Sequence, residues 1–447
     1  MDTTSEPPRV RVVEGVLRGC RQAGAAAFFG VPFAAPPVGP ARFRPPEPPL
    51  PWPGVRDAAR PGPAASQGPS RLAHVLGDRT LEQSEDCLTL NVWTPEPDGP
   101  PRPVLVFLHG GGFTTGSGGL EWYRGAELAR RGDIVVVTTN YRLGALGFSY
   151  LDEGNLGVRD QIQALRWVRD NIAAFHGDPG AVTVAGQSGG ALSILAMLSG
   201  TTGRGLFHRA ILQSTPAGMR PQTTEVAETR TAELLSVLGL RRDEAGKLRA
   251  VPVEDLLDAQ REVTRRNAPL LGPEPPFQLV ADTSTVAADP VEEVGGRGAD
   301  GIPVIIGTTR DEAGAFHPGG DRGAAVTESL FRAPMIRFAE LLAEHGNPAW
   351  VYQFDWSPAG SPFGACHCIE LPFVLGNPRA WADAPMLAGA GPSTLVAVTD
   401  LVQPTWIALA RHGNPCHEAI PDWPAYRPGE AAVLHLSTTP TVQKGQR

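Results

Sequence analysis

Short apolar runs of strand length alternate with longer segments of helical periodicity through most of the chain. The strand-like runs are Val104–Leu108, Ile134–Thr139, Val182–Val184, Arg209–Ser214, Ile302–Gly307 and Trp350–Phe354. Most of them are apolar at successive positions, which is typical of strands covered on both faces in a parallel sheet. Residues Val158–Ile172 carry apolar side chains at helical spacing and predict an amphipathic helix between two of these strands. The alternation predicts an α/β fold, with a central, mostly parallel sheet flanked by helices.

Segments outside this alternation are predicted to be accessory to the sheet. Val10–Val13 and Val16–Arg18 flank a Glu-Gly turn and predict an N-terminal β-hairpin. A proline-rich segment, residues 30–53, is expected to be mostly irregular. Glu225–Leu240 and Val253–Thr264 have helical patterns and are expected to form helical excursions near the mouth of a site.

Composition narrows the classes of protein that the chain can be. The net charge of −8 comes without any basic block, which argues against a nucleic-acid partner. The longest apolar runs are far shorter than the roughly 20 residues that span a bilayer, and residues 1–8 lack the features of a signal peptide. Five scattered cysteines favour reduced thiols in a cytoplasmic protein over a disulfide framework. No internal repeat or linker is present, so residues 1–447 are predicted to form a single domain.

A candidate nucleophile lies between a short β-branched strand and a helix rich in small and apolar residues. Here the sequence Gly186-Gln187-Ser188-Gly189-Gly190 fits the pattern G-x-S-x-G. Glycines on both sides allow strand, turn and helix to approach closely, which lifts the serine onto an exposed elbow in front of a helix N-terminus. The pattern favours Ser188 as a nucleophile, and the alternative is an ordinary turn with a capping serine.

A glycine-rich loop follows the apolar strand that ends at Leu108. The segment His109-Gly110-Gly111-Gly112-Phe113 leaves backbone N–H groups that can face a ligand without side chains in the way. In a serine hydrolase this is the place of the loop that stabilises the negative oxygen formed when the serine attacks a carbonyl. The alternative is a flexible turn, but the loop and the serine elbow together meet one chemical need.

A serine nucleophile also needs a base and an acid that orients the base. Seven histidines follow Ser188, and the pattern alone does not choose among them: His208, His317, His345, His367, His412, His417 and His435. His367 is favoured by its place after a late strand and a loop rich in Gly, Pro and Ser. Glu312 follows a buried strand in the same way, with Asp311 as its rival.

Several stretches together resemble the type-B carboxylesterases, which include para-nitrobenzyl esterases and cholinesterases. In chain order they are Ser84–Leu88, His109–Phe113, Asn155–Gln161, the serine elbow, Arg209–Ser214, Gly307–Glu312 and Gly364–Phe373. The resemblance extends from about Val10 to Tyr426. It implies an α/β-hydrolase fold and hydrolysis of a small-molecule carboxylic ester through an acyl-enzyme. The sequence contains no metal-site pattern and no dinucleotide fingerprint, so no cofactor is expected.

Site residues follow from this resemblance by motif position. It implies Ser188 as the nucleophile, His367 as the base and Glu312 as the acid. Asp311 is then expected to make a structural contact.

The resemblance also implies an oxyanion hole formed by the N–H groups of Gly111, Gly112 and Gly189. Ser214 matches a serine that lies behind the triad. This chain departs from the family pattern at the elbow, where Gln187 and Gly189 replace the usual glutamate and alanine. The extra freedom of Gly189 is expected to loosen the oxyanion hole.

Further departures concern a cysteine and the surroundings of the site. The usual partner of Cys87 is absent, so Cys87 is expected to be a free thiol. Phe316–Thr327 is expected to be a short loop replacing helices near the site. Phe113, Phe316 and Phe363 are candidates for lining the substrate pocket, with a place in the core as the alternative.

The sequence therefore predicts a serine carboxylesterase. A non-catalytic binding or adhesion protein on the same fold is the alternative, because fold alone does not fix function. A triad hydrolase acting on amides, thioesters or lactones is a third interpretation. The sequence does not indicate the acyl group, the alcohol or the oligomeric state.

Overall fold

A computed structural model describes residues 6–95, 99–267, 274–282, 284–297, 299–317 and 321–445. The strands are β1 (Arg9–Val12), β2 (Gly15–Arg18), β3 (Cys20–Gln22), β4 (Ala25–Pro32), β5 (Val55–Asp57), β6 (Thr89–Thr94), β7 (Arg102–Leu108), β8 (Val135–Thr139), β9 (Gly177–Gln187), β10 (Arg209–Gln213), β11 (Val304–Thr309), β12 (Ala349–Phe354), β13 (Ala432–Leu436) and β14 (Thr441–Lys444). The helices are α1 (Ala73–Leu76), α2 (Ala126–Gly132), α3 (Gly144–Phe148), α4 (Leu156–Asn171), α5 (Gly189–Ser199), α6 (Thr224–Val237), α7 (Val253–Arg266), α8 (Pro290–Arg297), α9 (Asp321–Val326), α10 (Ala333–Glu344), α11 (Leu371–Val374) and α12 (Pro392–His412).

Within the described residues, eleven strands form one sheet in the order β14–β13–β12–β11–β10–β9–β7–β8–β6–β4–β3. The strands from β13 to β8 in this order are parallel to their neighbours, and antiparallel strands extend both edges. A separate small sheet contains the hairpin β1–β2 and β5. The carboxyl ends of the parallel strands meet at one edge, which is where ligands bind in sheets of this kind.

The core has two layers because alternate side chains of each strand point to opposite faces of the sheet. Val104, Val106 and Leu108 of β7 pack in one apolar cluster with α4, α5 and α10. Leu105 and Phe107 of the same strand pack in a second cluster with α2 and α12. Both faces are therefore covered, which explains why β7 is apolar at successive positions.

The hairpin, the strands of the parallel sheet and the amphipathic helix α4 confirm the sequence-based predictions, with boundaries shifted by a few residues. The helices α6 and α7 also lie where the pattern predicted them and outside the sheet.

The segment 30–53 is mostly irregular, as predicted, except that residues 30–32 end strand β4, where Gly30 and Pro32 had hidden the pattern. One local prediction was wrong. The predicted loop at Phe316–Thr327 contains helix α9, which continues into a π-helical turn at Thr327–Arg332. Residues 318–320 of that prediction lie outside the described residues.

All five cysteines lie in the described part of the chain, and all are free thiols. Cys87 is buried and unbridged, as its missing partner had predicted. None of the described helices is both long enough and apolar enough to cross a membrane.

Candidate active site

The serine elbow is a strained turn between β9 and α5. Ser188 has a φ of 54° and a ψ of −120°, a conformation that costs an L-residue on the order of 1–3 kcal/mol. Its backbone N–H donates to the carbonyl of Gln213 at the end of β10, over 2.9 Å. A β-carbon on Gly186 would lie 2.7 Å from the carbonyl carbon of Gly190, and one on Gly190 would overlap the carbonyl of Leu108. The two glycines are therefore required for the turn to form.

The glycine-rich loop after β7 lies against this elbow. Gly111 and Gly112 have φ values of +110° and +59°, which favour glycine. Among the described residues, neither glycine donates its N–H in a backbone hydrogen bond. A β-carbon on Gly189 would lie 3.4 Å from the amide nitrogen of Gly112, so the loop amides and the first amide of α5 are neighbours. Gly112 and Gly189, two of the three glycines predicted to form an oxyanion hole, thus lie side by side.

His109 stiffens the start of this loop. Its ring stacks on Tyr141 with centroids 4.4 Å apart, and its Nδ1 lies 2.8 Å from the Gly110 carbonyl. The hydroxyl of Tyr141 donates to the His109 carbonyl over 2.8 Å. Burial lowers the pKa of His109 to about 4, so the ring is neutral near pH 7.

His367 and Glu312 form a buried pair at the ends of neighbouring strands. Glu312 follows β11, and His367 lies on the loop after β12. The Nδ1 of His367 lies 2.6 Å from Oε2 of Glu312, and the other carboxylate oxygen accepts the N–H of Thr309 over 2.8 Å. Because a carboxylate accepts only, Nδ1 carries a proton, and in the neutral imidazole Nε2 is then the acceptor.

The glutamine beside the serine contacts that Nε2 atom. Gln187 Nε2 lies 3.2 Å from His367 Nε2 and 3.3 Å from Cys368 Sγ. Ser188 and His367 line the same cavity, but the hydrogen bonds of the described residues include none between them. Nucleophile–base hydrogen bonds are often long in unliganded sites. In this structure, Gln187 holds the imidazole next to the elbow.

Asp311 anchors the loop that carries His367, and Ser214 contacts Glu370. The carboxylate of Asp311 accepts the N–H of Ala365, and its own N–H donates to the Ala365 carbonyl, both over 2.9 Å. Asp311 thereby ties the loop that carries His367 to the end of β11, the structural contact that was expected. The hydroxyl of Ser214 donates to Oε1 of Glu370 over 3.4 Å.

Glu370 was not singled out from the sequence. Its Oε1 also accepts from Nε2 of Gln213 over 3.3 Å. The carboxyl is fully buried, which raises its pKa to about 7, and repulsion from Glu312 adds to the effect. The available signal was an acidic residue three positions after His367 in the otherwise apolar run Cys366–Val374.

A cavity of about 380 Å³ opens in front of the elbow. Its walls include Ser188, Gly111, Gly112, His367, Gln187 and residues of the loop between Gln67 and Gln83. Of the three candidate lining phenylalanines, Phe316 lines the cavity. Phe113 is fully buried and its ring lies 4.7 Å from that of Phe148, while Phe363 packs against His74. In the described ranges, no group of three or more His, Cys, Asp or Glu residues could hold a metal ion.

Known proteins resemble this chain along nearly its whole length. The model of the carboxylesterase family matches residues 6–324 and 321–447. A phenmedipham hydrolase from Pseudarthrobacter oxydans is 40% identical over 96% of this chain and 94% of its own length. A para-nitrobenzyl esterase from Bacillus subtilis is 36% identical over the same shares. A solved PNB esterase structure has a TM-score of 0.91 at 35% identity and covers 98% of this chain and 97% of its own.

These similarities agree with the architecture described above. The sheet order, the two layers of helices and the serine elbow are those of an α/β-hydrolase fold. The chain belongs to the carboxylesterase family.

Proposed function

We propose that Ser188, His367 and Glu312 are the catalytic triad with which this enzyme hydrolyses carboxylic esters. The observation that carries the proposal is the 2.6 Å contact between the His367 imidazole and the Glu312 carboxylate, with that imidazole and Ser188 in the wall of one cavity. The strained backbone of Ser188 adds support, because such strain concentrates at functional sites.

The proposed reaction has two steps. In the first, Ser188 Oγ attacks the ester carbonyl carbon while His367 Nε2 accepts its proton, and the alcohol then leaves with that proton. In the second, His367 activates a water molecule that hydrolyses the acyl-serine. Glu312 orients the imidazole and stabilises its charged form in both steps.

The negative oxygen formed in each step is proposed to bind the N–H groups of Gly111, Gly112 and Gly189. Removing one such donor in related chemistry costs about 10²–10³ in rate. For His367 Nε2 to accept the serine proton, the Gln187 amide must give up its present contact with that atom. We propose that substrate binding brings about this exchange.

Replacement of the serine tests the assignment. Ser188→Ala should lower kcat for a short-chain aryl ester by up to about 10⁶-fold and abolish labelling by a fluorophosphonate probe. Ser193→Ala is a matched control, since this buried serine of α5 only donates to the Gly189 carbonyl over 3.1 Å. Full activity of Ser188→Ala would refute the triad.

No contact within the described residues favours the non-catalytic alternative. Comparison of kcat/KM on a matched ester and amide tests the preference for esters over amides. We further propose a cytoplasmic location, which the five free cysteines support. We also propose that the chain acts as one domain, because a single sheet takes strands from residue 20 to residue 444.

A further inference from the structure

A second cavity, of about 760 Å³, lies beside the antiparallel strands of the large sheet. Its wall contains residues of β3, β4 and β6 together with Gly118, Gly119 and Leu120. It is about twice as large as the active-site cavity of about 380 Å³. Leu120 lines the active-site cavity as well, and no other described residue lines both. The two cavities therefore approach each other at Leu120.

The backbone that carries Leu120 is anchored by hydrogen bonds. The hydroxyl of Ser117 and the N–H of Gly118 both donate to Oδ1 of Asn140, over 2.9 and 2.8 Å. The N–H of Leu120 donates to the Ser117 carbonyl over 3.3 Å, and the Leu120 carbonyl accepts the N–H of Tyr123 over 3.0 Å. The Leu120 side chain is 8% exposed. Because the backbone is fixed, the size of this side chain decides whether the wall between the cavities is closed.

The space beyond Leu120 suits a hydrocarbon chain. Its other apolar lining residues include Phe29, Ala59, Pro61 and Trp93. Two polar side chains of its wall are already occupied by the protein. Gln22 Oε1 accepts the indole N–H of Trp93 over 2.7 Å, and the Asn91 amide donates to the Gly118 carbonyl over 3.1 Å. An apolar chain can therefore pack in this space without breaking these hydrogen bonds.

We propose that Leu120 sets the longest ester chain that this enzyme accepts, because its side chain closes the active-site cavity off from the second cavity. The inference rests on the proposed function, since it assumes that the ester binds at Ser188. Leu120 lies beside Trp122 and Tyr123 in the wall of that cavity. An acyl or alkyl chain that follows this wall away from Ser188 ends against Leu120. A smaller residue at this position would join the two cavities and give longer chains apolar space.

Two series of esters test the proposal. 4-Nitrophenyl alkanoates from acetate to decanoate vary the acyl chain, and alkyl butanoates from ethyl to decyl vary the alcohol. For each series, kcat/KM is measured against chain length with the parent enzyme, Leu120→Ala and Leu76→Ala. Leu76 lines the active-site cavity but not the second cavity, so Leu76→Ala is a matched control that removes the same atoms without joining the two.

The parent should lose kcat/KM beyond a certain chain length in at least one series, and Leu120→Ala should move this limit to longer chains. We compare kcat/KM on the ester two carbons past the parent's limit with kcat/KM on the parent's best ester. Leu120→Ala should raise this ratio by roughly tenfold, because each methylene that gains apolar space is worth about fourfold. Leu120→Phe should move the limit to shorter chains, because its larger side chain takes up space in the cavity.

Filling the second cavity should cancel the gain. Ala59 lines the second cavity but not the active-site cavity. Ala59→Phe combined with Leu120→Ala should therefore restore the parent's limit. Ala59→Phe alone should leave the chain-length profile of the parent unchanged, because Leu120 still closes the wall. Labelling by a fluorophosphonate probe checks that each variant is folded, and Leu120→Val, which removes fewer atoms, replaces Leu120→Ala if the latter is not labelled.

The outcomes separate this inference from the proposed function. If esters are hydrolysed and the chain-length limit is the same in the parent, Leu120→Ala and Leu120→Phe, the role of Leu120 is refuted and the esterase remains. An equal extension in Leu76→Ala, or one that Ala59→Phe does not cancel, also overturns the inference, because the gain would then come from space within the active-site cavity. If the parent hydrolyses no ester and forms no fluorophosphonate adduct, the proposed function itself is wrong.

Discussion

Glu370 should make the folded enzyme less stable as the pH rises, and Glu370→Gln should remove this effect. Burial and the neighbouring Glu312 raise the pKa of Glu370 from 4.5 to about 7. Between these values the unfolded chain releases the proton and the folded chain keeps it. Unfolding is therefore increasingly favoured as the pH rises through this window.

The size of the effect follows from the two pKa values. The difference between 4.5 and about 7 corresponds to about 3 kcal/mol at 1.36 kcal/mol per pKa unit. About 2.5 kcal/mol of this should be lost between pH 5 and pH 8. Glutamine cannot ionise, and it can keep the contacts of Oε1 with Gln213 and Ser214. The amide NH₂ group of glutamine would take the place of Oε2, which has no partner among the described residues. This exchange lowers the free energy of unfolding by an amount that does not change with pH.

The assay is urea unfolding of the parent and Glu370→Gln from pH 5 to pH 8, with tryptophan fluorescence as the probe of unfolding. The free energy of unfolding of the variant, relative to the parent, should rise by about 2.5 kcal/mol across this range. Glu47→Gln, at an exposed carboxylate, is the control and should show a constant difference. A constant difference for Glu370→Gln as well would refute the reasoning, because Glu370 would then ionise equally in both states.

Three further substitutions test the elbow. Gln187→Glu places a carboxylate about 3.2 Å from His367 Nε2. A negative neighbour favours the protonated imidazole, so the pH at which kcat/KM falls on the acid side should rise by about 1–3 units. A pH–rate profile in which this pH does not change would contradict the contact. Gly189→Ala should raise the free energy of unfolding by about 0.4–1 kcal/mol and retain activity, because its β-carbon makes only ordinary contact with the amide of Gly112 at 3.4 Å. Gly190→Ala should disrupt the elbow, because its β-carbon would overlap the Leu108 carbonyl. Urea unfolding compares the two variants, and equal stability of Gly189→Ala and Gly190→Ala would contradict this close packing.

The sequence by itself determined the features that depend on neighbouring residues. Apolar runs gave the strands, helical spacing gave α4, and glycines around Ser188 and after Leu108 predicted two tight turns. Such features follow from the backbone freedom of each residue and from side-chain periodicity, which are local properties. Where local signals conflict they mislead, as in β4, where Gly30 and Pro32 concealed a strand that pairs with β6.

Only the tertiary structure decided which distant groups meet. From the residues alone, seven histidines and two neighbouring acids remained candidates, and it took the resemblance to a family to select His367 and Glu312. The contact between them depends on β11 lying beside β12 in the sheet, and strand order is set by crossovers that no local pattern encodes. The same holds for Gln187: its place in the elbow motif is visible in the sequence, but its contact with the imidazole depends on packing that brings His367 to the elbow.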